Sequence, residues 1–163
     1  MLRVDFAFDA HDRVTQAVST TLRQVGRGTP ILVLCDDEAR QQRYTRELWT
    51  QQADTQFVVH EPLAADTTNT TIGATGANNA TDRLMVYLLN TESWPLLANK
   101  LSEPFYSQSW LLNLNDNPPP DLAVFERILE IVSQDPEERE QARQRWRFYQ
   151  ERGADLHAHR LPA

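Results

Sequence analysis

Arg139, Arg143 and Arg147 recur every fourth residue within EREQARQRWRFYQER, Glu138 to Arg152. The segment has no Pro or Gly and is filled with Glu, Gln, Arg and Ala, so it is predicted to be a helix. At about 100° per residue, positions i, i+4 and i+8 fall in one row and set the guanidinium groups side by side. Trp146 lies beside the row, and Ala142 and Tyr149 continue an apolar stripe on its far side. Planar guanidinium forks take carboxylates bidentately, and an adjacent aromatic offers apolar area. Such a seam can bind an acidic, partly apolar ligand. The competing reading is a solvated amphipathic face whose arginines pair with Glu140 and Glu151.

Other candidate chemistry is sparse. Asp36, Asp37 and Glu38 stand where a predicted strand gives way to a helix, the sheet edge at which α/β proteins bind ligands. Such acids could hold Mg²⁺ or a ribose, which would make the chain a small Mg²⁺-dependent α/β enzyme. Acids in a helix's first turn are also what the helix dipole favours with no ligand at all. The four histidines form no metal pattern: His11 and His60 stand alone, and His157 and His159 lack a third ligand at useful spacing. The sole cysteine, Cys35, excludes an internal disulfide and a cysteine-built zinc site. Its place at the end of ILVLC suits a small buried residue rather than a nucleophile. The first strand–helix junction, Phe8 to Asp12, contains no glycine, and the Gly73–Gly76 loop precedes a strand, so no phosphate loop can be built at either. No catalytic residue, metal or cofactor is expected.

The elements that position these residues follow from periodicity. RVDFAF, Arg3 to Phe8, alternates as a first strand, and Asp9 or Asp12 can cap a helix carrying Val14, Val18, Leu22 and Val25, ended by Gly26 and Gly28. Pro30 to Cys35 is an apolar run of strand length, the pattern of a strand buried on both faces. A helix from Asp36 to about Gln51 is predicted to turn Tyr44, Leu48 and Trp49 inward, and Gln56 to His60 is a short third strand. Ala64 to Asp82 (AADTTNTTIGATGANNATD) has almost nothing to bury and reads as a mobile polar loop. Further strands are predicted over Arg83 to Leu89 and Ser109 to Leu114, and helices over Glu92 to Leu101 and Leu122 to Val132, the last capped by Asp121. Asp135-Pro136 opens the arginine helix, Gly153 closes it, and Leu156 to Ala163 reads as a tail. The β-α-β-α-β opening predicts a single α/β domain over residues 1–163, a three-layer sandwich on a parallel or mixed sheet, Rossmann-like but without a phosphate loop.

A length of 163 residues suits one such domain, and the formal charge of −7 argues for protein or small-molecule partners rather than direct nucleic-acid binding. No apolar run approaches the roughly 20 residues that span a bilayer, and no basic-then-apolar leader is present, so a cytoplasmic protein with no membrane partner is expected.

Several stretches together are similar to the chi subunit of the bacterial DNA polymerase III holoenzyme. These are ILVLCDDE with the helix ending ELW, FVVH, SWLLNLNDNPPPDLAVFERILEIV, and ARQRWRFYQERG. The last resembles a family pattern ARxRxxxYxxxG. Residues 64–82 and about 89–106 show no likeness. The resemblance implies a non-catalytic clamp-loader adaptor that pairs with the psi subunit and holds the acidic C-terminal tail of single-stranded DNA-binding protein. That tail ends in an apolar residue with a free carboxylate. Arg139, Arg143 and Arg147 match the family's basic tail-binding positions, Trp146 an aromatic one and Val132 an apolar wall. Arg139 stands where a Lys can occur. The psi contact implied by the family falls on Trp49, Phe57, Val59 and His60, with Val59 standing where a proline can occur. A helicase is a further partner that the resemblance admits.

Overall fold

A computed structural model describes residues 1–51, the backbone of 60–62, and residues 86–95, 109–122 and 125–162. Within them lie strands β1 (Arg3–Ala10), β2 (Ile31–Leu34), β3 (His60–Pro62), β4 (Val86–Leu89), β5 (Trp110–Asn113), β6 (Arg127–Ser133) and β7 (Asp155–Arg160). The helices are α1 (Arg13–Gly26), α2 (Glu38–Gln51) and α3 (Pro136–Glu151). The strands form one sheet in the order β3-β4-β2-β5-β6-β1-β7, and every pairing in it is parallel. This is the Rossmann-like α/β sandwich expected, with the parallel alternative realised.

The layers follow from strand alternation. In β2, Ile31 and Val33 join Val14, Ala17 and Val18 of α1 and Tyr44 and Leu48 of α2 in one core. Leu32 and Leu34 face the other way, into a core shared with Ala142 and Tyr149 of α3 and with Val4, Phe6 and Val132. Both faces of the central strands are covered, which is why β2, β4 and β5 read as continuous apolar runs. Cys35 is buried, and that burial pushes its thiol up to about 11, so it is a packing residue and not a poised thiolate.

Asp12, rather than Asp9, caps α1: its carboxylate accepts from the Thr15 amide at 2.9 Å. Asp135 does the same for α3, accepting from the amides of Glu137 and Glu138, with Pro136 in the first turn. Past its C-terminus, Gly153 adopts φ +74°, a left-handed turn that glycine takes without steric cost.

Three expectations are corrected. The segment predicted as a helix over Leu122 to Val132 is instead strand β6 from Arg127. Its acids at Glu126 and Glu130 mimic a helix's polar face, but Ile128, Ile131 and Val132 are β-branched, and Glu130 is drawn inside by a buried arginine. The C-terminal stretch is not a tail up to Arg160: β7 pairs with β1 from Arg3 opposite Asp155 to Phe8 opposite Arg160. A short, charged strand is what a sheet edge favours, and this one carries too little apolar residue to announce itself. Trp49 does not turn inward and is 49% exposed. The predicted third strand is seen only at His60–Pro62; residues 52–59, with Phe57 and Val59, lie outside the described residues, as do the polar loop at 64–82 and residues 96–108.

Candidate binding groove

A groove of about 590 Å³ opens between α3 and the β1–β7 edge of the sheet. Its apolar walls come from Phe6 and Phe8 of β1, Val132 of β6, Ala142 and Trp146 of α3 and Ala158 of β7. Arg139, Arg143, Arg160 and Asp9 supply its charge. Alternation explains the β1 and β7 contributions, since Phe6 and Phe8 share a face, as do Ala158 and Arg160. Trp146 is held against the sheet by Phe6, with ring centroids 5.0 Å apart at 58°.

The helix row thus reaches the groove unevenly. Val132, Arg139, Arg143 and Trp146 line it together, whereas Arg147, one turn further on, is exposed and outside its lining. Arg139 donates to Asp9 at 2.8 Å, and Arg143, with its side chain 66% exposed, makes only a loose pair with Glu140 at 3.2 Å. An exposed pair of that kind contributes under about 1 kcal/mol, so Arg143 can turn to a ligand at little cost. Phe6 and Phe8, expected only as strand residues, Asp9, expected only as a possible helix cap, and Ala158 and Arg160, expected in a tail, are groove residues that local sequence does not mark. The alternation of Leu156, Ala158 and Arg160 was the available signal, and it is weak in a strand with two wet residues between.

A different chemistry operates directly beneath. Glu130 and Arg145 are almost fully buried, with Arg145 Nε donating to Glu130 Oε2 at 3.0 Å. Glu130 Oε1 also accepts from Tyr149 at 2.6 Å and from Asn113 at 2.9 Å, and Arg145 Nη1 donates to the Asp116 carbonyl at 3.0 Å. Burial and the neighbouring Glu130 charge hold the Tyr149 phenol well above its ordinary pKa, so it remains a donor. This network fixes the rotation of α3 on the sheet and therefore the direction in which Arg139, Arg143 and Trp146 point.

Nearer the middle of the sheet, Asp36 and Asp37, just past the end of β2, are already engaged. Asp36 accepts from the Thr91 amide and hydroxyl, each at 2.6 Å, and from Asn115 at 3.0 Å; Asp37 accepts from the Arg40 amide at 2.8 Å as the cap of α2. Among the described residues no three of His, Cys, Asp and Glu converge to hold a metal ion. None of the described helices is long and apolar enough to cross a membrane. Trp49 lies in the last turn of α2, and β3, which starts at His60, stands at the far end of the strand order from β7.

Residues 1–157 match the protein family described as DNA polymerase III chi subunit, HolC. The DNA polymerase III subunit chi of Pseudomonas aeruginosa is 26% identical over 166 residues, across 99% of this chain and 99% of that protein. On a family match that takes in nearly all of its length, this chain belongs to the DNA polymerase III chi subunit family of DNA replication proteins.

Proposed function

We propose that the chain is a non-catalytic adaptor of the polymerase III holoenzyme, working in the cytoplasm, that grips the acidic C-terminal tail of single-stranded DNA-binding protein in the α3 groove and the psi subunit through the opposite edge. The observation that carries this reading is a groove with an apolar floor and guanidinium groups on its rim, in a protein whose net charge is −7. A local cationic, aromatic-walled cleft in an acidic protein selects an anionic peptide with an apolar end and has little use for a nucleic-acid backbone. Arg143 takes the terminal carboxylate, Arg139 a neighbouring acid, and the last apolar side chain packs between Trp146 and Val132. Arg147 adds charge from outside the groove. The psi surface is built on Trp49, Phe57, Val59 and His60. A half-exposed tryptophan supports it, because aromatic anchors are enriched in protein interfaces. Strand β3, which holds His60, stands at the other end of the strand order from β7, and that separation supports one chain holding both partners at once.

Titration calorimetry with the tail peptide tests the groove. The free-acid peptide binds, and amidating its C-terminus weakens binding roughly tenfold, the value of one desolvated charged hydrogen bond. Equal affinity of the two peptides removes the carboxylate from the reading, and no binding by the free acid at millimolar concentration removes the groove. For the other edge, Trp49→Ala prevents co-purification with psi while the tail affinity is unchanged.

A further inference from the structure

The β1 strand carries an irregularity at the mouth of the groove. Ala7 pairs with Ile131 and Ala10 with Ser133, so β1 advances three residues while β6 advances two. One extra residue in a strand reverses the side-chain parity beyond it. Phe6 and Phe8 accordingly belong with the α3 core, while Ala10 belongs with the core of α1 and α2. Asp9 sits at this bulge with φ +67°, the left-handed region that aspartate tolerates better than most side chains. In a regular strand its carboxylate would face away from α3. Here it faces the groove, where Oδ1 accepts from Arg139 Nη2 at 2.8 Å and Oδ2 from Arg160 Nε at 2.9 Å.

We propose that Arg160 is a second anchor for the anionic ligand of this groove, and that Asp9 is the resident carboxylate which the ligand displaces from Arg139 and Arg160. The inference deepens the acidic-tail reading and rests on it. A carboxylate already spans the two guanidinium groups, so the spacing between α3 and the β7 edge accommodates one. Each Arg gives Asp9 only one N–H and keeps the rest of its fork for another acceptor. The Arg160 side chain is 76% exposed and the Arg139 side chain 44%, so both can swing toward an incoming group. Asp9 could instead help by holding the two arginines in place. Exposed pairs gain too little from such ordering to outweigh the repulsion between the Asp9 charge and a ligand carboxylate in the same cleft. Asp9 thus sets the affinity below its ceiling and restricts the groove to ligands carrying enough negative charge to replace it.

The test uses the full chain and a decapeptide of alternating glycine and aspartate ending in phenylalanine with a free carboxylate, followed by calorimetry. Asp9→Asn keeps the shape and the left-handed conformation and removes the charge; it is expected to tighten binding roughly fivefold. Arg160→Ala is expected to weaken binding roughly threefold alone and about tenfold in the Asp9→Asn background, because the anchor is then unmasked. Affinity unchanged or reduced by Asp9→Asn, with the unmodified chain still binding, overturns the displacement and leaves the acidic-tail reading standing. An Arg160→Ala loss that is absent in both backgrounds removes the second anchor. Failure of the unmodified chain and both variants alike to bind overturns the reading and the inference together.

Discussion

Arg143 and Arg145 lie two residues apart on α3, and their side chains are 66% and 2% exposed. Arg145 is committed to Glu130 and to the Asp116 carbonyl, inside a network in which Glu130 also accepts from Tyr149 and Asn113. Arg143 has one loose partner in Glu140. Removing an ion from water costs several kcal/mol, so a buried arginine persists only when each of its neighbours is satisfied too. An exposed arginine carries no such debt, and its donors stay available to a ligand. The inner side of the helix therefore fixes where the outer side points, and only the outer side is free to recognise anything. The two roles should be separable by mutation.

The largest effect is expected from the inner side. Arg145→Met leaves the Glu130 charge buried without its counter-ion and should cost about 3–5 kcal/mol in urea unfolding. Replacing Glu130 by Met as well should recover much of that loss, because no uncompensated charge then remains. A single-variant loss below about 1 kcal/mol would mean that water reaches Glu130 and that the network does not orient α3.

Arg143→Ala should do the reverse. Unfolding free energy stays within about 0.5 kcal/mol of the parent, as for an ordinary surface change. Affinity for the acidic peptide falls tenfold or more, equivalent to about 1.4 kcal/mol. Paired with amidation of the peptide, the losses should not add, because both remove the same contact. Fully additive losses would assign Arg143 to a different acid on the peptide.

A smaller version of the contrast runs along β1. Asp5, with a side chain 6% exposed, is held by Arg3, Arg127 and His159, while Asp9 looks into the open groove. Burial on its own would raise the Asp5 carboxyl pKa, but hydrogen bonds from Arg3 and His159 and the charge of Arg127 bring it below the ordinary value. A folded-state pKa that is depressed gives stability present above the unfolded value of about 3.9, lost as pH falls through the folded one. Asp5→Asn should therefore cost about 1 kcal/mol near neutral pH, with the gap to the parent closing as pH drops below about 4. A gap that stays constant from pH 7 to pH 3 would assign the loss to packing rather than charge.

The parts of this arrangement visible in sequence are those written in one element at a time. Ile31 to Leu34 is apolar throughout because both of its faces are covered, and Asp135-Pro136 marks the start of α3 through a local cap. The Arg139–Arg143–Trp146 seam is likewise a property of one helix. What stayed hidden depends on partners distant in the chain. Glu130 resembles a helix-surface acid until Arg145 is known to meet it, and β7 becomes a strand only by pairing with β1. Asp9 could be weighed as a helix cap, but its route into the groove requires a bulge that only the β6 register creates.

The smallest effect sharpens the boundary of the outer side. Arg147 shares the row with Arg139 and Arg143 but does not line the groove. It lies one helical turn beyond Arg143, about 5–6 Å along the axis, so its charge is felt by a bound peptide mainly through solvent. Such an interaction is weakened once the separation approaches the Debye length, about 8 Å at physiological ionic strength and nearer 3 Å at 1 M. Arg147→Ala should therefore reduce affinity only about twofold at low salt, with no measurable loss at 1 M. The Arg143→Ala loss should persist across the same range, because a desolvated hydrogen bond is screened far less than a rim charge. Calorimetric titrations of the two variants over a salt series separate these behaviours. A tenfold, salt-resistant loss for Arg147→Ala would extend the recognition surface a full turn toward the C-terminus of α3, placing the peptide along the helix instead of across the β1–β7 edge.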